Sequence, residues 1–140
     1  MRTRDTRTGA VHEVMVTHSL HSGGYTWQPQ VLVGTRPNGR RHKVDLVADD
    51  RDRNRYLISL KWQQSSGTAE QKVPFEVICL KDALQFHPGR FRRAYLVLGG
   101  EGWTLRDFYV GGGLQRYMNC TGVEIVTLER FVALANRGQL

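Results

Sequence analysis

Between residues 8 and 21 apolar side chains recur at Val11, Val14 and Met15, with Ala10 and Val16 on a neighbouring row, and this spacing predicts a short amphipathic helix. Ser22-Gly23-Gly24 ends it. Beyond Trp27 the pattern shifts to three extended runs, residues 30–34, 42–48 and 55–63. They are joined by two short polar connections, Arg36-Pro37-Asn38-Gly39-Arg40 with its Asn-Gly turn and residues 49–54, so a meander of hairpins is expected. Val73, Val77, Leu80 and Leu84 then mark one face of a helix that stops near His87-Pro88-Gly89. Proline is tolerated only near a helix start, so Pro74 places the beginning of the regular helix at about Val73. A buried strand over 94–98 ends at Gly99-Gly100, and a mixed region over 103–118 is interrupted by Gly111-Gly112-Gly113. A last strand, 122–127, leads into a terminal helix over 128–135, giving the order αβββαβ(α)βα.

A chain of 140 residues with 40% hydrophobic residues suffices for one domain, 1–140, with a packed core and no staples. Lys and Arg number 20 against 13 Asp and Glu, a net charge of +7, which points to a polyanionic partner. Cys79 and Cys120 stand far apart with no CxxC pair or Cys/His cluster, so no zinc module is expected; Cys79, inside Val77-Ile78-Cys79-Leu80, suits a small buried hydrophobe. No run approaches the roughly 18 apolar residues of a membrane span, and Met1-Arg2-Thr3-Arg4-Asp5 lacks a hydrophobic signal core. A cytoplasmic location is expected, that of the host cell if the source is viral.

Strand alternation changes the picture from charge to chemistry. In the second run Val44, Leu46 and Ala48 share one face and Lys43, Asp45 and Val47 the other; in the third, Tyr56, Ile58, Leu60 and Trp62 oppose Leu57, Ser59, Lys61 and Gln63. If Asp45 lies on the side of Ser59, Lys61 and Gln63, a carboxylate, an ammonium and two neutral polar groups converge. Glu76 falls on or beside the apolar stripe of the following helix, where a carboxylate needs a cation or a metal to offset its desolvation. Two arrangements satisfy it: a purely structural ion pair with Lys61, or a hard divalent cation held by Asp45 and Glu76 with the main-chain carbonyl of Leu60. Mg²⁺ suits such sparse carboxylate sites, and Lys61 would orient a metal-activated water or stabilise charge on a phosphoryl transition state.

Val44-Asp45-Leu46 on one strand and Ser59-Leu60-Lys61 on the next resemble the core of the PD-(D/E)xK nuclease superfamily. The resemblance implies an α/β, restriction-endonuclease-like core (αβββαβ) with a mixed central sheet flanked by helices, and Mg²⁺-dependent cleavage of DNA in which Mn²⁺ can substitute. It makes Asp45 the metal ligand and Lys61 the catalytic lysine. Two positions depart from the motif, Val44 in place of proline and Ser59 in place of the second acid. Glu76 is placed like an acid that has migrated to the following helix, with Glu70 as its competitor; Gln63 is a candidate for part of the role. Glu13 on the first helix resembles the acid that several such nucleases place near the metal.

Phosphate contacts are expected from Arg36, Arg40, Arg41 and Lys43 and from Arg90, Arg92 and Arg93, positions that orient a duplex without specifying its sequence. Tyr25, Trp27 and Trp103 suit either base stacking or the core. His12, His18 and His21 form no HExxH pattern, and the glycine runs at 99–102 and 111–113 complete no nucleotide-binding fingerprint, so they read as turns. The expected function is a DNA endonuclease of restriction, homing or Holliday-junction-resolving type, acting as a homodimer because one small chain carries one site. The alternatives are a catalytically inactive nuclease-fold nucleic-acid-binding protein, with Ser59 recording the lost acid, or an RNA-binding module.

Overall fold

The computed structural model describes residues 6–140; the charged segment 1–5 lies outside the described residues. In chain order the elements are α1 (Thr6–Ser22), β1 (Thr26–Thr35), β2 (Arg41–Asp49), β3 (Arg55–Trp62), α2 (Ala69–Phe86), β4 (Arg93–Gly99), α3 (Arg106–Val110), a single 3-10 turn at Gly113–Arg116, β5 (Val123–Thr127) and α4 (Leu128–Asn136). The strands form one five-stranded sheet in sequence order. β1, β2 and β3 run antiparallel through tight hairpins, whereas β4 and β5 join in parallel, as crossover connections through helices require. The result is the α/β, restriction-endonuclease-like mixed sheet that the resemblance implied. No helix among the described residues is long and apolar enough to cross a membrane.

Helices cover both faces of the sheet. On one, Val73, Val77 and Leu80 of α2 pack with Leu57, Leu96 and Leu98; on the other, Val16 and Leu20 of α1 and Phe131 and Ala135 of α4 pack with Leu46, Ile58, Tyr95 and Val97. Burial on both faces explains why β4 reads as an almost unbroken apolar run. Cys79 and Cys120 are both buried thiols, in keeping with the role expected of Cys79.

Three local expectations are corrected. First, α1 does not bury Val11, Val14 and Met15, which are 58%, 64% and 46% exposed; its inward row is His12, Val16, Ser19 and Leu20. The helix is turned so that His12 lies against the Trp62 ring, 4.9 Å between centroids, and the polar Ser19 is accommodated by donating to its own helix at the Val16 carbonyl, 2.7 Å. Second, α2 starts at Ala69 rather than Val73 and contains Pro74. The proline leaves the Glu70 carbonyl without its helical donor, and the Tyr109 hydroxyl supplies a replacement at 2.7 Å. The first turn is held from outside as well, because the Ala69 N–H donates to the Gln63 side-chain oxygen.

Third, β2 breaks its own alternation at Asp45. Pro29 pairs with Leu46 and Val31 with Val44, but Gln30 and Asp45 between them are skipped by the ladder, and Gln30 adopts φ 52°. That left-handed conformation, uncommon for a side chain other than glycine or asparagine, kinks the ribbon and reverses its faces. Val44 therefore joins Val47 in the α2-side core, while Leu46 and Ala48 lie on the α1 and α4 side.

Candidate active site

Asp45 stands where two strands part. β2 and β3 are paired from Asp49↔Arg55 to Leu46↔Ile58, and no further. Past that point β3 continues along β4, from Ser59↔Leu96 to Trp62↔Gly99, while β2 stays with β1. The backbone of Leu60 consequently faces a gap instead of a neighbour, and its N–H is taken by Asp45 Oδ2 at 2.7 Å. Because the N–H and C=O of one strand residue point to the same side, the Leu60 carbonyl is directed into that gap too. Burial raises the Asp45 pKa; the Leu60 N–H and the Lys61 charge pull against this rise, and the Glu76 charge adds to it.

Glu76 reaches the same region from α2 and is 5% exposed. Its Oε1 accepts from Ser59 Oγ at 3.0 Å, and its Oε2 meets Arg36 at 3.1 Å and Lys61 Nζ at 3.9 Å. His42 Nε2 lies 3.8 Å from Oε1, beyond hydrogen-bond reach, and this buried nitrogen has no hydrogen-bond partner among the described residues. Burial opposes ionisation of Glu76, yet the His42 ring and the Lys61 and Arg36 charges outweigh it and hold the carboxyl at about 2.

Alternation within β3 delivers Ser59 and Lys61 to this face, as strand geometry requires. Gln63, the next residue on that side, is spent on scaffolding: its amide nitrogen donates to the Gly102 carbonyl at 2.7 Å and its oxygen accepts from Ala69. Glu70 is similarly engaged, accepting from the Thr104 N–H, from Thr104 Oγ1 at 2.7 Å and from the Leu105 N–H at 2.8 Å. Those donors lower its pKa, the Thr104 hydroxyl first among them. Glu13 stands half-buried on α1, which covers the sheet face opposite α2. No group of three or more His, Cys, Asp or Glu side chains among the described residues is disposed to hold a metal. What the gap offers is an all-oxygen set, the Asp45 and Glu76 carboxylates and the Leu60 carbonyl, with Lys61 beside it; such hard donors fit Mg²⁺ or Mn²⁺ rather than zinc.

Sequence reasoning missed His42 as a neighbour of Glu76. Under strict alternation it falls on the face of Leu46, and only the kink at Gln30 and Asp45 brings it to the α2 side. Arg36, expected on the surface, is half-buried against Glu76. Arg40, Arg41 and Lys43 are exposed close by along the β1–β2 connection and β2. Arg90 and Arg92 are exposed and Arg93 half-buried at the opposite end of the sheet, where Arg93 pairs with Tyr56. The six steps along β3 from Arg55 to Lys61 separate the two ends by about 20 Å. Tyr25 and Trp103 serve the framework, the first accepting from the Leu140 N–H and the second donating to the Gly99 carbonyl at 2.8 Å; Trp27 is half-buried.

Crystal structures similar to the chain include two with these alignments. One, of a protein of unknown function, aligns with a TM-score of 0.48 and 18% identity over 81% of this chain and 54% of the other. A repair endonuclease from Pyrococcus abyssi aligns with a TM-score of 0.44 and 16% identity over 89% of this chain and 47% of the other. The chain thus spans about half the length of the solved structures it matches. No curated protein matches it. A family model described as a PD-(D/E)XK nuclease superfamily domain matches residues 4–139, nearly the whole chain with the split strands and the α2 carboxylate inside it, and the chain belongs to that superfamily.

Proposed function

We propose that the protein is a Mg²⁺-dependent DNA endonuclease, with Mn²⁺ able to substitute, that hydrolyses phosphodiester bonds at the gap between β2 and β3. The observation that carries this reading is the convergence on one opening of Asp45, Glu76, Lys61 and the backbone of Leu60. Asp45, Glu76 and the Leu60 carbonyl would hold the cation, which when bound supplies a more acidic water and neutralises phosphate charge. Asp45 is oriented by the Leu60 N–H and Glu76 by Ser59, so neither needs to reorganise as charge develops. Lys61, 28% exposed at its side chain and 3.9 Å from Glu76, projects its ammonium to where a phosphoryl oxygen would gather negative charge. The excess of basic residues draws in the polyanion. Duplex cleavage by a chain with one such site calls for a second copy, so a homodimer is the expected working form.

A catalytically inactive nucleic-acid-binding protein of the same fold is the second reading. It is favoured by the full set of polar partners around Glu76, since ion-paired carboxylates also serve as inert core. Plasmid and branched DNA incubated with Mg²⁺ or Mn²⁺ separate the two. Cleavage that falls by at least about 10²-fold in Asp45→Asn and in Lys61→Ala supports the enzyme. Binding without cutting, or cutting that survives both substitutions, overturns it. Glu76→Gln and Glu70→Gln tested side by side assign the second carboxylate: loss of activity is expected only in the first.

A further inference from the structure

Arg36 sits on the carboxylate that the metal would need. Its guanidinium touches Glu76 Oε2 at 3.1 Å, closer than Lys61 on the same oxygen at 3.9 Å. The residue belongs to the β1–β2 connection, a short turn in which the Arg36 N–H donates to the Arg40 carbonyl and Gly39 donates back to Arg36. The exposed cations Arg40, Arg41 and Lys43 lie four to seven residues further along. Arg36 is thus the one member of a basic run whose head is turned inward, with 23% of its side chain still open to solvent.

From this geometry we infer that Arg36 is an exchange residue: it neutralises Glu76 until a nucleic-acid phosphate draws it away, and only then does the site take its divalent cation. The inference rests on the metal-site reading above and extends it. Charge counting supplies the reason. With both carboxylates ionised, Asp45 and Glu76 face Lys61 and Arg36, two negative charges against two positive, and a divalent cation entering such a half-buried site brings two uncompensated positive charges. Once Arg36 turns to a phosphate, which neutralises it, the cation meets two carboxylates and Lys61, and the uncompensated positive charge falls from two to one. A guanidinium suits the exchange, because its planar fork makes paired bonds with a carboxylate and a phosphate oxygen pair alike. Metal and substrate then bind cooperatively, each strengthening the other by the same factor.

Mn²⁺ binding, followed by the paramagnetic resonance signal of the free ion, tests this without relying on turnover. Wild type is expected to bind Mn²⁺ weakly alone and at least about tenfold more tightly beside a short DNA duplex whose integrity is checked on a gel, a change equivalent to about 1.4 kcal/mol. Arg36→Met is expected to bind Mn²⁺ about tenfold more tightly than wild type without DNA, and to gain little from the duplex. Arg36→Lys, which keeps the charge, should bind as weakly as wild type. Circular dichroism and melting curves check that each variant folds; should Arg36→Met not fold, the duplex effect on wild type decides. Asp45→Asn and Glu76→Gln separate this inference from the reading beneath it. If neither lowers Mn²⁺ affinity with or without the duplex, the metal site itself is wrong. If both lower it, but Arg36→Met binds no tighter than wild type and the duplex leaves wild type unchanged, the metal site stands and the exchange is wrong.

Discussion

The two acids facing the gap are shifted in opposite directions, and each shift has a consequence for stability. Glu76 is held at about 2 in the folded protein against 4.5 for an unperturbed glutamate, so its charge stabilises the fold above pH 4.5. That contribution, on the order of 3 kcal/mol, is lost as pH falls from about 4.5 to about 2, because the unfolded chain takes up its proton first. Urea unfolding across this range should show the loss in wild type and a much shallower one in Glu76→Gln. Asp45 behaves oppositely: burial raises its folded pKa, so at neutral pH its ionisation opposes folding. Asp45→Asn keeps an oxygen acceptor for the Leu60 N–H and is expected to be more stable than wild type at pH 7, with the advantage fading as the pH drops below the range in which Asp45 ionises. An equal or lower stability at pH 7 would mean that Lys61 and the backbone offset the burial completely. These side chains were legible in the sequence as residue types on an alternating strand and beside an apolar stripe. Their partners were legible only in part, since nothing in the spacing of Arg36 or His42 relates them to Glu76, which follows them by more than thirty positions.

At the scale of elements, the strands and the buried row of α2 follow their hydrophobic periods closely, because both faces of the sheet are covered and burial leaves a strong pattern. α1 departs from its pattern because three of its larger apolar side chains stay in water, and apolar spacing alone then indicates the wrong face. The start of α2 was misplaced for a different reason. A proline's missing donor is repaired by Tyr109, a residue from a distant element, and no local rule anticipates that. The repair is measurable. Tyr109→Phe removes the hydroxyl from the buried Glu70 carbonyl and is expected to cost about 1–2 kcal/mol. Pro74→Ala restores the helical N–H, so Tyr109→Phe in that background should cost about 1 kcal/mol less. Additive effects in the double-mutant cycle would show that the hydroxyl and the proline are energetically unrelated.

For the whole molecule, the net charge of +7 is distributed unevenly around the sheet. Arg40, Arg41 and Lys43 lie next to the gap, whereas Arg90 and Arg92 lie at the other end. If the gap is where the backbone is cut, neutralising the first three together should lower the salt slope of DNA affinity by about 3, at roughly 0.9 per phosphate contact, and neutralising the second pair should lower it less. Fluorescence anisotropy over a range of salt concentrations measures both. The kink that brings His42 to Glu76 also lies on an outer strand, since β1 forms one edge of the sheet. Along it Pro29 offers no N–H, Gln30 is turned out of the extended conformation, and the register shifts between Leu32 and Gly34. An edge interrupted in this way is a poor template for a further strand, so a second copy is not expected to extend the sheet along β1, and the same irregularity guards this edge against edge-to-edge aggregation.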